Sequence, residues 1–127
     1  MRKLTKLALG LALAGAMAVP AFAEDGVTAT EIVLGTHTDL SGPAAIWGVG
    51  AVEGARMRYD EINEKGGING RKIKLIVEDH QYTVPRAIQA ANKLLNNDKI
   101  FAMVGALGTP MNNAVFEEQL PKGVPNI

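Results

Sequence analysis

The sequence predicts an α/β protein built on a doubly wound parallel sheet with strand order 2-1-3-4. Three observations predict it. Short apolar or β-branched runs alternate with longer segments whose apolar residues recur at helical spacing. The third apolar run, Ile100 to Val104, lacks polar alternation, as a strand covered on both faces should. The resulting order, β-α-β-α-β-α-β, needs crossover connections, which are right-handed and leave neighbouring strands parallel.

Each element has its own signal. Ile32-Val33-Leu34-Gly35-Thr36 reads as the first strand, followed by a polar, Gly/Pro-containing loop from His37 to about Ala44. Gly48, Val52, Ala55, Tyr59 and Ile62 then form one stripe of a helix from about Ala45 to Glu64. Gly66-Gly67 ends it and Asn69-Gly70 makes a tight turn. Lys72 to Asp79 is the second strand. Thr83 and Pro85 open a second helix with the stripe Val84, Ile88, Ala91 and Leu95, closed by Asn96-Asn97-Asp98. After the third strand and the loop Gly105-Ala106-Leu107-Gly108, Thr109 is the N-cap candidate and Pro110 the first residue of a third helix reaching about Leu120. A fourth strand is expected near Pro125. Gly123 to Ile127 reads as a turn entering that strand, so the sequence is expected to be a fragment.

Residues 1–23 read as a separate address. Arg2, Lys3 and Lys6 precede the uncharged run Leu7 to Val19, which ends at Pro20 and the small-x-small site Ala21-Phe22-Ala23. The uncharged stretch from Leu7 to Ala23 would span about 26 Å as helix, short of a bilayer core of about 30 Å. A cleaved signal peptide is therefore expected, with residues 24–127 as the N-terminal part of a ligand-binding lobe. Removing it takes three of the 13 Lys and Arg and none of the 13 Asp and Glu, which leaves 104 residues with a formal charge of −3. That balance argues against a nucleic-acid partner. The chain has no cysteine, which excludes disulfides and thiolate chemistry.

In a doubly wound sheet ligands bind beyond the carboxyl ends of the strands, where the order reverses. The loops there are His37–Trp47 and Gly105–Thr109. In the second, Gly105 and Gly108 let backbone approach a ligand, and Thr109 offers a hydroxyl beside the amides of Met111 and Asn112. A carboxylate would suit this helix start. Equally, Thr109 could simply cap its own helix, and the residues alone leave both readings open. Trp47, the only tryptophan, is either core or the wall of an apolar pocket.

Other patterns carry less. Gly48, Gly50 and Gly54 lie inside a helix rather than in a strand-to-helix turn, so they suit helix packing better than dinucleotide binding, although Glu78-Asp79 stands where a ribose acid would. Thr36 to Gly42 is like a flavin-phosphate loop, but Asp39 would repel the phosphate. His37 and His80 lack a spaced third ligand for a metal. Met103 and Met111 read as core. No nucleophile, base and orienting acid fall together, so neither a catalytic residue, a metal nor a cofactor is expected.

Thr38-Asp39-Leu40-Ser41-Gly42-Pro43, Trp47-Gly48, Gly54-Ala55 and Glu61-Ile62-Asn63-Glu64-Lys65-Gly66-Gly67-Ile68-Asn69-Gly70-Arg71 resemble the leucine/isoleucine/valine-binding family of periplasmic receptors. Glu78-Asp79, Ala90-Ala91-Asn92-Lys93-Leu94 and Val104-Gly105 continue the likeness in order. The resemblance implies a type I periplasmic-binding-protein lobe, incomplete, with the second lobe outside this chain. It implies a non-enzymatic receptor that holds a small carboxylate ligand and delivers it to an ABC permease in the inner membrane. Trp47, Leu107, Gly108 and Thr109 match the family's ligand contacts, with Ser41, Gly42 and Pro43 as the supporting loop. Pro110-Met111-Asn112-Asn113 and His80-Gln81-Tyr82-Thr83-Val84-Pro85 depart from the family pattern. The ligand is thus left among branched-chain or other amino acids, amides and aromatic acids. The alternatives are an extracellular sensing module and, further off, a nucleotide-binding Rossmann-type enzyme.

Overall fold

The computed structural model describes residues 24–127, so the expected signal peptide lies outside the described residues. The sheet has the order β2-β1-β3 and is parallel throughout. Strand β1 spans Glu31–Thr38 and pairs along its whole length with β2, Lys72–Asp79, from Glu31 opposite Lys72 to Thr38 opposite Asp79. Strand β3 is Ala102–Met103. It is shorter than the expected Ile100–Val104, yet Phe101 N–H donates to Val33 O and Val104 N–H to Gly35 O, so the ladder extends one residue each way. On the far side Met103 bridges Asn126 in parallel, which places the start of the expected fourth strand next to β3. The order 2-1-3-4 follows.

Helix α1, Ala45–Glu64, connects β1 to β2. Gly48 and Val52 of its stripe are buried, and Ala55, Tyr59 and Ile62 are half-buried. Gly50 and Gly54 face open space, so packing explains Gly48 but not these two. At the far end Asn63 staples the helix to the sheet. Its Nδ2 donates to Ile73 O at 2.8 Å and its Oδ1 accepts from Ile73 N–H at 2.7 Å. Replacing Asn63 by alanine leaves both Ile73 groups unpaired in a half-buried place. We expect a loss of about 1–3 kcal/mol in denaturant unfolding.

Helix α2, Val84–Asn92, runs into one π turn, Lys93–Asn97. Its inward residues are Ala87, Ala90, Ala91, Leu94 and Leu95, whereas Ile88, assigned to the stripe by spacing, is 39% exposed. The helix lays its alanines on the sheet and turns Ile88 to the flank. Helix α3, Thr109–Gln119, packs beside α2. The core is closed by Leu94, Ile100, Met103, Met111 and Val115, each at most 2% exposed. Both methionines are core, as expected.

Candidate functional site

The carboxyl ends of β1 and β2 and the loop after β3 converge on one edge of the sheet. Leu107 N–H donates to His37 O at 3.2 Å, and His80 N–H donates to Thr38 O at 2.8 Å. His80 then closes the triangle: its Nε2 lies 2.9 Å from Leu107 O, and its Nδ1 accepts from Tyr82 N–H at 2.9 Å. With Nδ1 an acceptor, Nε2 carries the proton and donates to Leu107 O. The loop that carries Ser41 and the loop that leads to Thr109 therefore leave the same edge of the sheet.

The first loop is folded around carboxylates. Asp39 is fully buried, and its oxygens accept from Ser41 N–H at 3.3 Å, Gly42 N–H at 2.6 Å and Ala44 N–H at 2.7 Å. Asp79 accepts from Leu40 N–H and Gln81 N–H, each at 2.9 Å, and from Ser41 Oγ at 2.6 Å. Burial pushes the Asp79 carboxyl up, but these three donors outweigh it and hold the group below its ordinary value. The amides of this loop are thus engaged from within, which leaves the loop unsuited to phosphate. Gly42 and Ser41 hold the turn closed, and Pro43 sits exposed at its tip.

The second loop is different. Helix α3 begins at Thr109, with Gly108 rather than Thr109 in the cap position, and no side chain caps it. Gly108 has φ +97°, a conformation that glycine adopts cheaply. Thr109 is exposed, and its hydroxyl is not engaged in capping. Asn112 N–H, expected to be free, donates to Gly108 O at 2.9 Å, because the helix closes one residue earlier than assigned. The Asn112 side chain donates to Ala106 O at 3.0 Å and to Gly108 O at 3.1 Å, which pins the loop from below. Gly108, Thr109 and Asn112 line an open cleft of about 490 Å³, shared with Phe116, Asn126 and Ile127.

The other expected contacts sit apart from that cleft. Trp47 is 72% exposed in the first turn of α1, so it is not core in this lobe. Leu107 is half-buried, and its two backbone groups serve His37 and His80. A second, apolar recess of about 100 Å³ lies between α1 and the sheet, lined by Thr36, Val52, Ala55, Tyr59, Leu75 and Val104. It reaches Gly105 at the start of the second loop but offers no set of converging polar groups. The His37 and His80 rings lie 5.5 Å apart, tilted at 51°, but both nitrogens of His80 are already engaged, so the pair could take a metal only by breaking the loop. Among the described residues no group of three metal-ligating side chains occurs.

The periplasmic binding protein family matches residues 31–125. The chain belongs to that family. Within it, the leucine-, isoleucine-, valine-, threonine- and alanine-binding protein of Pseudomonas aeruginosa is 31% identical over 109 residues, covering 84% of this chain and 29% of the relative. Among solved structures, the branched-chain amino acid transporter substrate-binding protein LivJ of Streptococcus pneumoniae, in complex with isoleucine, superposes with a TM-score of 0.72 at 29% identity, over 76% of this chain and 28% of that one. A fatty acid ABC transporter substrate-binding protein from Thermomonospora curvata gives a TM-score of 0.72 at 32% identity, over 80% and 26%. The chain thus spans under a third of each of these periplasmic binding proteins. Its sheet and helices are part of a type I periplasmic-binding-protein lobe, and the family is one of substrate-binding receptors. Among the described residues no helix is long and apolar enough to cross a membrane.

Sequence reasoning found the two loops but missed the groups that hold them. The sequence presents His80 as a candidate metal ligand and part of a departure from the family pattern, and Asp79 as a ribose acid and part of the family likeness. It presents Asn112 as a backbone amide donor within another departure, not as a side-chain brace. Their polarity at strand ends and in a first helical turn was the one available signal.

Proposed function

We propose that this chain is part of the ligand-binding lobe of an extracytoplasmic solute receptor, exported by the segment 1–23, that delivers a small carboxylate to an ABC permease. One observation carries the reading: the Thr109 hydroxyl stands at the start of α3, not engaged in capping its own helix. That hydroxyl and the positive end of the α3 dipole suit a carboxylate oxygen. Leu107 and Gly108 bring the backbone alongside, and Trp47, exposed on the same lobe, is available as an apolar wall when a second lobe closes. The named relatives support the chemistry. Amino acids such as leucine and fatty acids share a carboxylate joined to an apolar chain, and both occur among the ligands in those names.

The test is calorimetry on the full-length protein with L-leucine, L-phenylalanine and octanoate. Thr109→Ala should weaken binding by about tenfold or more, the loss of a hydrogen bond to a charged group. Thr109→Ser, which keeps the hydroxyl, should bind within a few-fold of the parent. Unchanged affinity in Thr109→Ala would remove the carboxylate site from this helix.

A further inference from the structure

The His80–Gln81–Tyr82 turn is built unlike any other in the lobe. Among the described residues it alone puts two consecutive non-glycine residues in the left-handed region, Gln81 at φ +51° and Tyr82 at φ +55°. Neither is a residue type that favours that conformation. It is held by one bond within the turn, Tyr82 N–H to His80 Nδ1, and by two that reach outside it, Gln81 N–H to Asp79 Oδ1 and His80 Nε2 to Leu107 O, each 2.9 Å. Thr83 N–H adds a bond to His80 O at 3.0 Å. Backbone held this way persists where the surroundings over-determine it, and such places cluster at ligand clamps.

The turn delivers the Tyr82 ring to Gly108. A Cβ at position 108 would lie 3.4 Å from Tyr82 Cε2 and would collide with the Met111 methyl, so a side chain there would crowd the tyrosine. The His80 ring meets Tyr82 edge-on, with centroids 6.3 Å apart and planes at 64°. Tyr82 remains 41% exposed and lies against Gly108, the residue that precedes Thr109. An amphipathic ring partly in solvent against Gly108, the residue that opens α3, offers an apolar face and a polar tip to a ligand held at that helix start.

We infer that Tyr82 is a specificity-determining wall of the ligand site, contacting the apolar substituent next to the carboxylate, and that His80 is the residue that positions it. This rests on the carboxylate reading of Thr109 given above. Thr109 would grip what all the ligands share, whereas Tyr82 would sort them by what the carboxylate carries.

The experiment compares the parent protein, Thr109→Ala, Tyr82→Ala, Tyr82→Leu and Tyr82→Phe by calorimetry with L-leucine, L-phenylalanine and octanoate, alongside unfolding curves. Thr109→Ala should weaken every bound probe by a similar factor. Tyr82→Ala should change the ratio of affinities between probes by about tenfold, the discrimination typical of an apolar pocket wall. Tyr82→Phe should keep most of the parent's ranking, and Tyr82→Leu carries the test if the alanine variant does not fold. If Thr109→Ala weakens binding while the Tyr82 variants keep the parent's ratios, the inference about Tyr82 is overturned and the carboxylate site stands. If the Tyr82 variants reorder the probes while Thr109→Ala has no effect, Tyr82 is upheld and the Thr109 reading fails. A parent protein that binds none of the three overturns both.

Discussion

Replacing Gly48 by alanine should destabilise the protein by about 3 kcal/mol or more, a larger effect than ordinary overpacking. The reason is steric and local. Helix α1 passes so close to the end of β1 that a Cβ on Gly48 would collide with the carbonyl oxygen of Asp39 and stand 2.8 Å from Thr38 Oγ1. The obstacle is backbone, not a side chain that can rotate away. Asp39 cannot retreat, because its buried carboxylate anchors three amides of the following loop. The helix must therefore lift, which uncovers Val52 and opens the recess beneath it. Denaturant midpoints of Gly48→Ala and Gly50→Ala check this directly. Gly50 faces open space, so its alanine variant should be neutral or slightly stabilising, since alanine suits a helix better than glycine. Equal losses in the two variants would contradict the close approach.

Mild acid should destabilise the protein through His37. Its ring is fully buried and neither nitrogen has a hydrogen-bond partner. Burial first, and the neighbouring His80 second, lower its pKa from 6.5 to about 4. The unfolded chain takes up a proton on this residue near its ordinary value, while the folded chain resists until about pH 4. Between those values the unfolded state binds more protons, so stability falls as pH falls. Each unit of that window removes up to about 1.4 kcal/mol, on the order of 3 kcal/mol across it. Urea unfolding at pH 7 and pH 4.5 measures the slope. His37→Leu removes the titrating group and an unsatisfied polar ring together, so it should flatten the slope and cost little at neutral pH. A slope of the same steepness in His37→Leu would assign the acid sensitivity elsewhere.

The fold was legible because its signals are local. The bounds of β2 and α1 follow from period and from the glycine and asparagine punctuation around them. The β3 assignment was too long because a central strand's ends depend on its neighbours, here β1 and Asn126, rather than on its own apolar run. Ile88 was placed inward by spacing alone, where Ala87, one position away, takes the buried place. Of the candidate site, the convergence of two loops on one edge was legible, since topology puts them there. Its internal bracing was not. Asp79 reaches Leu40 across 39 residues, and His80 reaches Leu107 across 27. No periodicity or motif encodes such pairs, and a buried aspartate looks the same in sequence as an exposed one.

Asp39, Asp79 and His80 lie under the rim of the sheet and hold it from inside. Loops on a protein surface ordinarily wander, and a ligand that stills them gives up part of its affinity to do so. Here the chain's own carboxylates and imidazole already satisfy those amides. On the proposed reading, the rim acts as a preorganised template, and selectivity comes from shape at first encounter rather than from remoulding around each guest.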